Sequence, residues 1–170
     1  RQGIEDILIL TEGLDQGTSI NTGSDKQTYY KLGLYGAEPD APAAMAESYF
    51  NGGSMHGDLA LVEAALSARC FLNLVALGVP FPHDRYGQYV GYKTDHDPRQ
   101  RATSIGPYTS REMCRALIRE TRRLGIPVRE KRWAVSLLTT GTGSDRRAAG
   151  VLAVTAAGTF EAYAAENVVF

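Results

Sequence analysis

Apolar positions recur along this chain with two different periods, and the switches between them mark out its elements. Ile7–Leu10 is a continuous apolar run, the pattern of a strand buried on both faces, and it predicts a strand over 6–11 ending at Thr11-Glu12-Gly13. Pro42 at a first-turn position opens a short helix over 41–51. Leu59, Val62, Ala65/Leu66, Arg69/Cys70, Asn73/Leu74 and Leu77 recur at three-to-four spacing, predicting a long amphipathic helix over 57–77 that ends at Gly78. Four prolines and three glycines make 79–108 a long irregular loop with room for a short strand pair. Thr109-Ser110-Arg111-Glu112 reads as a capping box opening a helix over 110–124, closed by Gly125. Four β-type runs follow, at 126–130, 133–140, 149–156 and 159–164, with Gly-rich turns between the later ones, and Asn167–Phe170 reads as a fifth. The order of strand, helices, meander and returning strand predicts an α/β protein, a nucleotide-binding sheet with a β-meander laid on it.

Composition narrows the class of function. With 170 residues, 44% hydrophobic and 22% charged, the chain is long enough for a real core. A formal net charge of −1 gives no field for holding nucleic acid. No apolar run in the sequence approaches the roughly 18–20 residues that span a bilayer, so no membrane segment is expected. Cys70 and Cys114 both fall in helix-like sequence and make no disulfide framework, and a structural zinc site would need more ligands than the chain offers. Arg1-Gln2-Gly3 reads as the end of a helix and Asn167–Phe170 as a core strand without a turn after it, so the chain reads as a piece of a longer protein.

Three segments carry dense polar chemistry. Glu12 follows the first strand, where a carboxylate either is simply solvated or accepts hydrogen bonds from the two hydroxyls of a ribose. Gly141-Thr142-Gly143-Ser144 lies between two strands with no helix after it and reads as a hairpin turn rather than a phosphate cradle. The segment 17–28 holds Gly17, Thr18, Ser19, Thr22, Gly23, Ser24 and Asp25. It is either a polar surface loop or a backbone that lets a flat or charged ligand approach closely. Residues 92–103 hold His96, Asp95, Asp97, Lys93, Arg99 and Arg101, either a solvated charged loop or a carboxylate-recognising one with a proton-transferring histidine. Adjacent Asp95, His96 and Asp97 make a poor metal set, because neighbouring residues seldom all point at one ion. His56 reads as a turn and helix-start residue.

Taken together, EGLDQGTSINTGSDKQT at 12–28, GYKTDHDPRQRATSIGPYTSREM at 91–113, RWAVSLL at 132–138 and the closing AENVVF resemble the fumarate reductase and succinate dehydrogenase flavoprotein family, with uncharacterised bacterial FAD-binding members the nearest in kind. The resemblance runs over essentially the whole chain and rests on the order and spacing of these stretches. It implies part of a Rossmann-like FAD-binding fold with a β-meander and inserted helices, truncated at both ends. It implies FAD as cofactor, with Glu12 on the adenosine ribose, the Gly17–Asp25 loop along the pyrophosphate and flavin, and Ala134 meeting adenine through its backbone. His96, Arg99 and Arg101 would lie toward the substrate side, their match to the family's acid-binding residues being loose. The proton-donating arginine of fumarate reductases has no counterpart in these residues. The resemblance implies hydride transfer between flavin and an organic substrate, of carboxylic-acid type or, alternatively, a bulky neutral one such as a ketosteroid, with an electron-transfer partner left open. A non-catalytic nucleotide-binding module is the reading of a different class.

Overall fold

The computed structural model describes residues 3–24, 27–95 and 97–170. The chain folds as two compact units, one of Arg1–Gln16 with Thr121–Phe170 and one of Gly17–Glu120.

In the first unit, β1 (Ile9–Leu10) pairs in parallel with β4 (Val128–Arg129). The predicted strand over 6–11 is thus shorter than its apolar run, and Ile4, Ile7 and Leu8 stay exposed. A parallel strand is buried only where layers cover both of its faces. Among the described residues β1 hydrogen-bonds one strand only. The run 126–130 supplies β4 for this pair instead of joining the meander. The meander is β5 (Arg132–Thr140), β6 (Arg147–Thr155) and β7 (Phe160–Ala164), antiparallel in the order β5-β6-β7. Gly141 and Gly143, at φ of 79° and 57°, turn β5 into β6, as the hairpin reading expects. The expected returning strand at Asn167–Phe170 does not form, and Val169 and Phe170 are exposed. Arg132 on β5 reaches across β6 to Glu161 on β7, Nε to Oε2 at 3.0 Å and Nη2 to Oε1 at 3.1 Å, and Tyr163 also donates to Glu161. Those bonds raise the Arg132 pKa and lower that of Glu161, so the pair stays charged.

In the second unit, α1 (Thr18–Asn21) is a single turn, α2 (Pro42–Asn51) begins with Pro42 at its first position, and α3 (Gly57–Ala76) follows His56 at its N-cap. Gly78, at φ of 85°, closes α3, and the Val79 N–H bonds the Leu74 carbonyl at 3.1 Å as in a Schellman motif. β2 (Tyr29–Tyr30) pairs antiparallel with β3 (Ala102–Thr103), and inside the long loop Tyr92 forms an antiparallel bridge with Ala102, a minimal version of the short strand pair expected there. The unit ends within α4 (Thr109–Arg123), at Glu120.

The buried face of α3 differs from the predicted one. Ala60, Ala64, Ser67 and Phe71 point inward, whereas Leu59, Val62 and Leu66 are 59%, 52% and 45% exposed. This helix is apolar nearly all round, so period alone cannot select a face. Small residues do: Ala60, Ala64 and Ser67 admit α2 closely, and Met45 of α2 is fully buried with its sulfur 3.8 Å from the Ser67 hydroxyl. Phe71, Val79, Phe81 and Ala116 then form the core, with Tyr29, Tyr89 and Ile105 packed around them. By length and composition alone α3 is apolar enough to cross a membrane, which does not show a membrane segment. A core helix passes the same test, and α3 inserts its Phe71 face into this core.

Candidate functional site

Glu12 sits where the first strand ends. Its carbonyl accepts the Lys131 N–H at 3.0 Å, and the carbonyl of Thr11 accepts the Arg132 N–H at 3.1 Å. The turn behind it is fixed by Glu130, whose Oε1 accepts the Leu14 N–H at 3.0 Å. A side chain at Gly13 would meet only the exposed side chains of Gln16, at 2.8 Å from Cγ, and Asp15, at 3.2 Å from Oδ1. Backbone and turn are therefore committed, while the Glu12 carboxylate is exposed and takes no partner among the described residues.

Ala134 belongs to the same unit. In a strand, peptide groups two residues apart face the same edge. The Arg132 N–H points at Thr11, away from β6, so the N–H and carbonyl of Ala134 open onto that same outer edge of β5. A register shift follows between Ala134 and Ser136 and ends the regular edge. The exposed Glu12 carboxylate and Ala134 thus belong to two segments that meet where the Thr11 and Glu12 carbonyls bond Arg132 and Lys131 at the start of β5. Such a donor set suits a ribose diol and the rim of a base.

The Gly17–Ser24 loop belongs to the other unit and docks on the start of α4. The Ser24 N–H bonds the Pro107 carbonyl at 2.9 Å. Gly23 lies flat on Tyr108, where an added Cβ would come within 2.6 Å of the ring. Gly17 has φ of 91° and leads into α1. The Thr22 hydroxyl is spent on the Thr18 carbonyl at 2.7 Å, leaving Thr18 and Ser19 as exposed hydroxyls. Asp25, predicted to share this loop's role, lies outside the described residues.

The predicted capping box at Thr109 is replaced by a longer-range cap. The Thr109 hydroxyl donates backward to the Gly106 carbonyl at 2.9 Å and accepts the Ile105 N–H at 3.0 Å. Gln27 Oε1 caps the helix instead, accepting from the N–H and hydroxyl of Ser110 at 3.2 and 3.1 Å. No local pattern signals this cap, because Gln27 and Ser110 are 83 residues apart.

The charged segment at 92–103 separates into different roles. Arg101 is fully buried and forms a fork on Asp40, Nε to Oδ2 and Nη2 to Oδ1, both at 2.8 Å. Its Nη1 also reaches Ser48 at 2.9 Å, the Tyr30 hydroxyl at 3.2 Å and Asp97 at 3.4 Å. Arg101 is therefore committed to the fold, not aimed at an open surface. Burial alone would raise the Asp40 pKa; the Arg101 bonds, with the N–H groups of Gly33 and Ala41, outweigh it and bring it to about 2. The same bonds raise the Arg101 pKa against its burial. Burial raises Tyr30 despite the Arg101 bond, and pushes Tyr49 to about 12. Asp97 accepts the Arg99 N–H at 3.0 Å in an Asx turn. Arg99 faces an open cleft together with Tyr35, Glu38 and Lys93. His96 lies outside the described residues. No group of three His, Cys, Asp or Glu residues suited to a metal occurs among the described residues.

No family model and no curated protein matches the chain. Solved structures do. A structure of Mycobacterium smegmatis Sdh1 in complex with UQ1 matches with a TM-score of 0.75 at 16% identity, covering 93% of this chain and 28% of that one. The 3-ketosteroid-delta4-(5alpha)-dehydrogenase of Rhodococcus jostii, in complex with 4-androstene-3,17-dione, matches with a TM-score of 0.73 at 17% identity, covering 95% and 39%. An E. coli quinol fumarate reductase FrdA variant matches with a TM-score of 0.74 at 11% identity, covering 94% and 26%. The chain therefore has the fold of the succinate dehydrogenase and fumarate reductase flavoproteins that its sequence resembles. It spans between 26% and 39% of the length of these three chains.

Proposed function

We propose that this chain is part of a flavin-dependent oxidoreductase and contributes the adenosine end of an FAD site. The observation that supports this reading is the exposed Glu12 carboxylate, without a partner among the described residues, on a segment whose Thr11 and Glu12 carbonyls bond Arg132 and Lys131 at the start of β5, the strand that holds Ala134. Shared fold with dehydrogenases and reductases supports it.

When bound, the flavin supplies the hydride chemistry. The chain's own residues bind and orient. Glu12 accepts from the ribose hydroxyls, and its anionic oxygens make those hydrogen bonds about twice as strong as neutral ones. Ala134 presents backbone N–H and carbonyl groups to the adenine rim. Arg101 holds the 30–48 segment in place through Asp40, Tyr30 and Ser48, acting as a positioning residue.

The substrate we favour is an organic acid of the fumarate or succinate type, because the exposed cations of the second unit, Lys93 and Arg99, belong to a carboxylate-recognising chemistry. A neutral substrate such as a steroid is the competing class, in keeping with the steroid-bound neighbour. The experiment is FAD titration of the intact protein by flavin fluorescence. Glu12→Ala should weaken binding by about 1.5–3 kcal/mol, the range for a charged hydrogen bond. Unchanged affinity in that variant removes Glu12 from the cofactor site.

A further inference from the structure

Arg132 opens β5 directly after a strained corner. Lys131 has a side chain yet adopts a φ of 57°. That left-handed conformation costs energy for any residue with a Cβ and persists only where its surroundings enforce it. The enforcing bonds converge on the Glu12 segment. The Lys131 N–H bonds the Glu12 carbonyl at 3.0 Å, and the Arg132 N–H bonds the Thr11 carbonyl at 3.1 Å. On the near side of the corner, Arg132 Nη1 donates to the Glu130 carbonyl at 2.9 Å, and the Glu130 carboxylate accepts the Leu14 N–H at 3.0 Å.

Arg132 is itself aimed from β7. Its Nε and Nη2 meet the two oxygens of Glu161 at 3.0 and 3.1 Å, and Tyr163 donates to the same carboxylate. The guanidinium is planar, so a fork on one edge also fixes where Nη1 points. The two side chains are 28% and 33% exposed, and an ion pair so placed adds little stability by itself. What it supplies is direction. Glu161 sets Arg132, Arg132 sets the corner, and the corner sets the turn that carries Glu12. All of these residues belong to one compact unit.

We propose that Arg132 and Glu161 are positioning residues of the cofactor site. They hold the Glu130–Lys131 corner, and with it Glu12, in the arrangement that meets the ribose. The proposal rests on the reading of Glu12 as the ribose acceptor. Neither Arg132 nor Glu161 has to touch the cofactor. Their contribution is preorganisation, so a change on β7 is felt at the end of β1.

The test uses the intact protein and two readouts. The first is hydrogen exchange of the Leu14 and Lys131 amides without flavin. Arg132→Ala and Glu161→Ala should each speed both amides by about 5-fold or more, with unchanged circular dichroism. Glu161→Gln, which keeps an acceptor for Arg132, should restore most of the protection. Unchanged exchange in both alanine variants overturns the proposal. The second readout is FAD affinity by flavin fluorescence. Glu161→Ala should weaken FAD by about 3–10-fold while Glu12 is present, and by less than about 2-fold in a Glu12→Ala background, where no carboxylate is left to position. No loss in the native background, or an equal loss in both, overturns the positioning role. If Glu12→Ala alone leaves FAD affinity unchanged, the reading of Glu12 fails, and the exchange rates still decide whether Arg132 and Glu161 hold the corner.

Discussion

The guanidinium of Arg101 and the carboxylate of Asp40, 61 residues apart, meet in plane through two parallel bonds of 2.8 Å, with both side chains out of solvent. This fork ties β3 to the start of α2, and Ser48 and Tyr30 extend it on the other side of Arg101. A buried pair adds little net stability against an apolar replacement of the same shape, but removing one partner leaves a charge buried and unpaired. Arg101→Ala and Asp40→Ala should each cost about 3–5 kcal/mol in urea denaturation. The double variant should cost clearly less than the sum of the two. Additive losses would show that the pair does not act as a unit.

The same pair sets a response to acid. The Asp40 pKa is about 2 in the fold against an ordinary 3.8. A carboxylate depressed on folding contributes stability above its unfolded value and loses it as pH falls through its folded one. Asp40 therefore supports the fold in full above about pH 5, and that support disappears as pH falls from about 4 to 2. Its size is on the order of 2 kcal/mol. Asp40→Asn should flatten this part of the stability curve; an acid limb of unchanged depth in the variant would assign the loss to other carboxylates.

Among the described residues Lys31 is the second buried cation, and no carboxylate pairs with it. Its Nζ bonds the Tyr89 carbonyl at 3.3 Å and stands 4.9 Å from the centre of the Phe71 ring. Burial lowers its pKa below the ordinary 10.5. For a lysine so shifted, the charged form is penalised by folding, so stability rises with pH between the folded pKa and 10.5. Lys31→Met should be at least as stable as the native chain at neutral pH and should lack that rise. A steeper rise in the variant would contradict the assignment.

What the sequence made legible follows the range of the interactions involved. Helix starts and stops at Pro42, His56, Gly78 and Gly125 came out correctly because their signals are local. Glu12 stood out because a strand end followed by a carboxylate is also a local pattern. Arg101 drew attention as one of several cations in a polar loop, yet nothing nearby distinguished it from Arg99. One is buried and the other faces a cleft because of Asp40, which lies far away in sequence. Gln27 as the cap of α4, and Glu130 as the fixer of the Gly13 turn, were hidden for the same reason. The apolar run at 7–10 predicts a wholly buried strand yet leaves Ile7 and Leu8 exposed, since an apolar sequence records what a strand tolerates and not what covers it.

The face of α3 gives the sharpest test of that lesson. Periodicity assigned Leu59, Val62 and Leu66 to the core, whereas the fold buries Ala60, Ala64 and Ser67 against α2. The two arrangements predict opposite outcomes at neighbouring residues. With Ala64 fully buried, Ala64→Leu forces extra methylenes between two packed helices and should cost about 1–3 kcal/mol. With Leu66 at 45% exposure, Leu66→Gln should change stability by no more than about 0.5 kcal/mol. Urea denaturation of this chain and the two variants decides between them. If Leu66→Gln proves the costly change and Ala64→Leu the neutral one, α3 is turned the other way, and the Met45–Ser67 contact that anchors α2 goes with it.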